Sequence, residues 1–171
     1  MSSRDLPGSD LPRPDIPGSD KPGSDVNIRR AGEGDIAALS RLCAAHAAFE
    51  GAGFDAACFE RGIGPALSAP MPRLWVYLAE DQGTVVGYVA LSREFSTWRA
   101  QDYLHMDCLF IEEGQRGSRL GQRLFAAAQA EARDQGLETM EWQTPDWNAP
   151  AIAFYQALGA KAQNKLRFSI G

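Results

Sequence analysis

Cysteine and histidine are scarce in this chain. The three cysteines, Cys43, Cys58 and Cys108, are odd in number and lack Cys-x-x-Cys spacing. That pattern argues against a disulfide framework or a structural zinc site and fits a reducing compartment. His46 shares a helix face with Cys43, but two such residues without further ligands do not make a metal site, so no metal is expected. Long apolar runs are also missing: nothing approaches the roughly 18 residues a membrane helix needs. The start of the chain has no apolar stretch resembling a secretory signal. No membrane partner and a cytoplasmic location are expected. Positive charge is in deficit, with 17 Lys and Arg against 22 Asp and Glu and a net charge of −5. A nucleic-acid binder working through bulk positive charge is therefore not expected. The acidic balance suits a cationic small molecule, although acidic surfaces commonly serve solubility alone.

What is present is one domain's worth of chain. The 171 residues correspond to a single unit. Residues 1–25 differ from the rest: Asp-x-Pro-Gly-Ser-Asp recurs, and Pro7, Pro12, Pro14, Pro17 and Pro22 fall within them. Leu6, Leu11 and Ile16 are too few to build a core, so this segment reads as a disordered tail, and 26–171 as the folded domain. Val26–Arg30 reads as a strand. Ile36, Leu39, Leu42, Cys43 and His46 recur at helical spacing. A second helix is expected over Asp55–Leu67. Leu74–Glu80 and Thr84–Ser92 read as strands joined by the hairpin signal Asp81-Gln82-Gly83. Tyr103–Ile111 is a further strand, and Glu94, Trp98 and Asp102 fall in the loop before it. Leu120, Leu124, Phe125, Ala128 and Ala132 share one face of a helix that Gly136 ends. Glu138–Gln143 reads as a strand, Asn148 as the cap of a helix over Ala149–Leu158, and Leu166–Ile170 alternates like a closing strand. The fold class is α/β, with a mixed sheet flanked by helices.

The most informative stretch runs from Asp107 to Gly121. A strand enters a glycine-rich loop, and the loop opens a helix. Such a loop lets backbone N–H groups converge, and the helix N-terminus adds partial positive charge, so a pyrophosphate is its natural occupant. Arg116 and Arg119 can add charge-assisted bonds. The loop is neither a P-loop nor GxGxxG.

Arg116-Gly-Ser-Arg-Leu-Gly121 resembles the acetyl-CoA loop R-x-x-G-x-G/A of the GNAT superfamily of N-acetyltransferases. Asn148-Ala-Pro-Ala-Ile-Ala-Phe-Tyr-Gln-Ala-Leu-Gly-Ala160 resembles that superfamily's second signature. The likeness runs from about Ile28 to Ile170, and within the superfamily it is nearest the spermidine/spermine and thialysine acetyltransferases. Ala48-Phe49-Glu50 and Phe95-Ser-Thr-Trp98 carry that nearer likeness. The resemblance implies a largely antiparallel sheet with splayed central strands and acetyl-CoA as co-substrate. Leu109, Phe110 and Ile111 would pair with the pantetheine arm, the Leu109 amide would polarise the thioester, and Arg116, Gly117, Ser118, Arg119, Leu120, Gly121 and Gln122 would hold the pyrophosphate. Asn148 and Ala151 would lie beside the cofactor, and Tyr155 near its sulfur. Phe49 and Glu50 would lie on the substrate side, with Trp98 a cation–π wall. Arg119 stands where the superfamily has a glycine, and Asp107 and Cys108 replace its Glu-Asp pair. Close relatives pair through C-terminal strands, so a homodimer is expected.

Amine acetylation needs a base, a polarised carbonyl and a donor for the leaving thiolate. Asp107 is the first candidate for the base, and His105 or a water chain competes with it. By alternation His105, Asp107 and Leu109 share a face, unless a bulge shifts the parity. Tyr155 is the candidate acid. No activated Ser or Cys stands out, which favours direct transfer over an acyl-enzyme. The resulting expectation is transfer to a small primary amine: a thialysine-like amino acid, diamine or polyamine. Two alternatives stay open, an aminoglycoside or other antibiotic amine as acceptor, and an acyl-CoA-binding module without turnover.

Overall fold

The structure, a computed structural model, describes residues 26–170. The expected tail, residues 1–25, lies outside the described residues. In chain order the elements are β1 (Asn27–Arg30), α1 (Ile36–Glu50), α2 (Ala56–Leu67), β2 (Leu74–Asp81), β3 (Thr84–Ser96), β4 (Gln101–Ile111), α3 (Leu120–Asp134), β5 (Met140–Trp142) and α4 (Ala149–Ala157). The strands form one sheet in the order β1-β2-β3-β4-β5. The first three pairings are antiparallel, and β4 pairs with β5 in parallel. The mixed, largely antiparallel α/β architecture is the one expected.

Period-two alternation sends side chains to both faces of the sheet, and helices cover each face. On β2, Trp75 and Ala79 join Leu120, Leu124, Phe125 and Tyr155 in the core under α3 and α4. Val76 and Leu78, from the same strand, join Leu39 and Leu42 of α1 in the opposite core. Each such leucine, once sealed from water, contributes about 1.5–3 kcal/mol. The β2–β3 connection is the expected hairpin, one residue tighter than the Asp81-Gln82-Gly83 signal: Asp81 pairs with Thr84, leaving a two-residue loop. Gln82 and Gly83 both take positive φ, 50° and 79°. That twist matches the strands it joins.

Two stretches depart from expectation. The segment read as a loop before Tyr103 is strand on both sides. β3 continues to Ser96 and β4 starts at Gln101, in the register Glu94↔Tyr103 and Phe95↔Asp102. Cross-strand polar bonds hold this extension: Arg93 Nε donates to Asp102 (2.8 Å) and the Tyr103 hydroxyl to Glu94 (2.6 Å). The hairpin stands clear of both cores, so its sequence carries no hydrophobic alternation to read. The closing strand at Leu166–Ile170 is the second departure. No strand forms after β5 among the described residues, and Leu166, Phe168 and Ile170 are exposed. Their alternation is real, but no strand among the described residues pairs with them.

Candidate active site

The site begins with a fault in the β3–β4 ladder. Ala90 pairs with Cys108 and Leu91 with Met106, so Asp107 has no partner across the ladder. It is a β-bulge residue. The bulge inverts the parity of β4. Leu104 and Met106 face the α3–α4 core, and so do Leu109 and Ile111, whereas Cys108 and Phe110 face the α1–α2 core. Unbroken alternation would have put Cys108 beside Met106. Asp107 is left exposed at the point of inversion.

The second feature is a parting of strands. β5 pairs with β4 only at Leu104, His105 and Met106. Beyond that, Cys108–Ile111 keeps β3 as its sole strand partner among the described residues, and its other edge is open. In a strand, backbone donors and acceptors point alternately to either side, so an open edge can take an extended ligand as an added strand.

The open edge leads into the loop before α3. A 3-10 turn, Glu113–Gln115, ends at Arg116. Gly117 then takes φ +81° and Arg119 φ +60°. The Gly117 conformation is one that glycine tolerates without strain. At Arg119 the left-handed backbone costs roughly 1–2 kcal/mol relative to the right-handed form. Arg119 occupies the cap position of α3, and its side chain makes no capping bond. Leu120, Gly121 and Gln122 therefore present helix-start amides beside an exposed loop. Gly121 has a packing reason as well: a Cβ there would meet Phe154 Cζ at 3.3 Å. The Ser118 hydroxyl donates to the Gln115 carbonyl at 2.5 Å, which ties the loop to itself. Arg116 turns back: its Nε donates to the Ile111 carbonyl (3.2 Å), and its guanidinium lies 4.8 Å over the Phe49 ring.

Across the parted strands lies α4. Asn148 Oδ1 accepts from the Ala151 amide at 3.3 Å and caps the helix. Ala151 packs against the core. The Tyr155 ring is wedged against Trp142 (5.1 Å) and Phe125 (6.2 Å). Its hydroxyl makes no hydrogen bond among the described residues, and burial, with Cys108 of β4 nearby, pushes its pKa up to about 12. It is therefore a protonated donor at any working pH.

Phe49 and Glu50 end α1 on the other side of β4, and the Phe49 ring meets Trp147 at 5.6 Å with the planes tilted by 57°. Trp98 does not join this group; it lies in the turn of the β3–β4 hairpin, 96% exposed. His46 does join it and was missed by the sequence reading. Its Nε2 faces Glu50 Oε1 at 3.4 Å and its Nδ1 the Tyr88 hydroxyl at 3.1 Å. The His46–Glu50 spacing of four on one helix was the available signal. Burial lowers the His46 pKa. Burial likewise raises the Cys108 thiol to about 12, so it is no ready nucleophile. No group of three or more His, Cys, Asp or Glu side chains suited to a metal occurs among the described residues.

Known proteins resemble this chain in sequence and in fold. A thialysine N-epsilon-acetyltransferase of Caenorhabditis elegans is 41% identical over 64 residues, 37% of this chain and 39% of that protein. A blasticidin-S acetyltransferase of Streptomyces morookaense is 43% identical over 80 residues, 47% of this chain and 51% of that protein. The chain thus matches about two-fifths of the length of the first relative and about half of the second. Among solved structures, an aminoglycoside N-acetyltransferase in complex with CoA superposes with a TM-score of 0.76 at 18% identity, covering 88% of this chain and 97% of that one. That likeness is one of fold. The model of the acetyltransferase (GNAT) family matches residues 40–160, most of the described chain, and the chain belongs to that family.

Proposed function

We propose that this chain is an acetyl-CoA-dependent N-acetyltransferase that passes acetyl directly to a primary amine of a small molecule. The observation that carries this reading is the open edge of β4 beyond Met106, running from the bulge at Asp107 into the uncapped start of α3. The helix-start amides and Gly117 suit a pyrophosphate, and Leu109–Ile111 suits an amide-bearing arm laid alongside. Tyr155 reaches the same strand from α4.

The chemistry follows from these positions. A free amine such as that of lysine has a pKa of about 10.4, so the acceptor arrives as an ammonium. Asp107, exposed at the bulge, takes its proton directly or through water; His105 competes for that role. The nitrogen lone pair then attacks the thioester carbon, forming C–N as C–S breaks. The Leu109 amide polarises the carbonyl oxygen. Tyr155 donates its O–H proton to the departing sulfur, and the surplus proton on the newly acylated nitrogen returns to the phenolate through water. Phe49 and Glu50 are the proposed acceptor contacts; Trp98, on the hairpin turn, stands apart from them.

Thialysine-like amino acids, diamines and polyamines are the proposed acceptors. The match to a blasticidin-S acetyltransferase favours an antibiotic amine as the second reading. We also propose that two copies associate in the cytoplasm through the exposed Leu166, Phe168 and Ile170; sedimentation as a monomer at micromolar concentration would count against this. The deciding assay is thiol release from acetyl-CoA by the purified full chain across a panel of amines. Release with at least one small primary amine is expected. CoA binding by calorimetry without release from any amine would leave the non-catalytic acyl-CoA module, and no binding at all would end the reading.

A further inference from the structure

We propose that His46 is a positioning residue that fixes the Glu50 carboxylate to receive a second cationic group on the acceptor, and so sets a preference for diamines over monoamines. This rests on the acetyltransferase reading above and adds to it a determinant of selectivity.

The geometry is that of a ring with every edge assigned. His46 and Glu50 lie one turn apart on α1, so their side chains stack along one face. The His46 ring lies flat on Phe110 of β4, with centroids 4.9 Å apart and planes 21° apart. It meets the Tyr88 ring of β3 edge-on at 6.1 Å. The imidazole is therefore pinned between helix and sheet, its side chain 16% exposed, while the Glu50 side chain is 37% exposed. The inner group is rigid and the outer one reaches solvent beside Phe49.

Proton counting fixes the tautomer. An ionised carboxylate only accepts, so the nitrogen facing Glu50, Nε2, carries the hydrogen. Burial disfavours the charged ring, so Nδ1 is bare and accepts from the Tyr88 hydroxyl. The Tyr88 hydroxyl is itself held far above its ordinary pKa by burial, which keeps it a donor. The charged or titratable groups acting on the ring are Glu50 on α1, Asp107 on β4 and Arg116 before α3. Both ring nitrogens are committed, so His46 has none left for a substrate proton. What it can do is hold Glu50. A glutamate side chain loses up to about 2 kcal/mol of rotamer freedom when fixed, and a donor already in place supplies part of that ordering before the ligand arrives.

The test compares diaminobutane with butylamine as acceptors for the full chain and for His46→Leu, His46→Gln and Glu50→Gln. In His46→Leu, the KM for the diamine should rise about three- to tenfold while kcat stays within about twofold and the monoamine KM does not move. His46→Gln keeps an N–H donor and should restore most of the diamine KM. In the Glu50→Gln background, His46→Leu should add nothing further. A His46→Leu variant that raises both KM values equally, or neither, overturns the role. Turnover of no amine by the parent chain would instead overturn the acetyltransferase reading, and with it this one. Nitrogen NMR of the imidazole, read without turnover, should show the Nε2–H tautomer at neutral pH; an Nδ1–H or doubly protonated ring refutes the arrangement.

Discussion

Adding one methyl group at Gly87 probes the strand on which the proposed site is built. Gly87 on β3 pairs with Ile111 on β4. A Cβ placed there would stand 2.9 Å from the Phe110 carbonyl oxygen, 3.1 Å from Ile111 Cγ1 and 3.4 Å from Ile111 Cα. Carbon–oxygen contacts between strands normally settle at about 3.3–3.6 Å. Two of the three neighbours are backbone, so no rotamer change relieves the contact and the strands must separate. Overpacking of this kind costs about 1–3 kcal/mol, and a weakened ladder bond adds about 1 kcal/mol. The alanine recovers about 0.4–1 kcal/mol through the unfolded chain. The balance is a loss of about 1–3 kcal/mol for Gly87→Ala. For a chain of this size that lowers Tm by roughly 2–12 °C. Gly121→Ala is the internal comparison. Its nearest neighbour is the tip of the Phe154 ring at 3.3 Å, which can swing aside, so its cost stays below about 1 kcal/mol. Urea titration of both variants, with m-values checked for constancy, measures the difference. Gly87→Ala should also weaken CoA binding by calorimetry, because Phe110 and Ile111 move with the strand. A Gly87→Ala protein within about 0.5 kcal/mol of the parent would refute the claim that this pairing cannot yield.

Further outcomes follow from the site. Tyr155→Phe removes one donor to the departing sulfur and should lower kcat about 10²–10³-fold, with CoA affinity little changed; unaltered turnover rejects the assignment. Asp107→Asn should abolish activity or move the pH–rate profile upward by removing the proton acceptor, and an identical profile would transfer the role to His105 or a water chain. Stability should fall on mild acidification, because the folded His46 pKa lies below its ordinary value of 6.5. Below that pH the unfolded chain binds the proton more readily than the folded one. His46→Gln should flatten denaturation midpoints in that window. A second loss comes at lower pH, as Asp35 protonates. The Arg29 guanidinium bonded to it and the Gly32 amide hold it below 3.8 against the opposing effect of burial. Its stabilisation is complete above 3.8 and disappears as pH drops through its folded value.

The sequence was legible wherever one residue's chemistry implied its neighbours. The β-rich run Leu74–Glu80 located β2, and it is apolar as far as Ala79 because both faces of that strand are buried. Asn148, Pro150 and Gly159 bracketed α4 because capping is local. The loop before α3 was readable from Gly117 and its arginines. Distant pairing was not. The outer β3–β4 hairpin rests on Arg93–Asp102 and Glu94–Tyr103, polar pairs that resemble loop composition until they are set opposite each other. The strand expected at Leu166–Ile170 had the right pattern and no partner strand among the described residues. His46 looked like one histidine on an apolar face, because Tyr88 and Phe110, which give it meaning, come from two other strands.

The unpaired residue at position 107 is an insertion that the rest of the strand does not need. Removing that codon would leave an ordinary pleated segment in which Met106, Cys108, Leu109, Phe110 and Ile111 keep their present faces, because Leu91 and Ala90, opposite Met106 and Cys108, already alternate. What would vanish is the exposed carboxylate and the kink that presents it. The damaging change is the opposite one, flattening the kink with the residue retained: Cys108 and Phe110 would then turn toward α3 and α4, and Leu109 and Ile111 toward α1, so each layer would receive side chains shaped for the other.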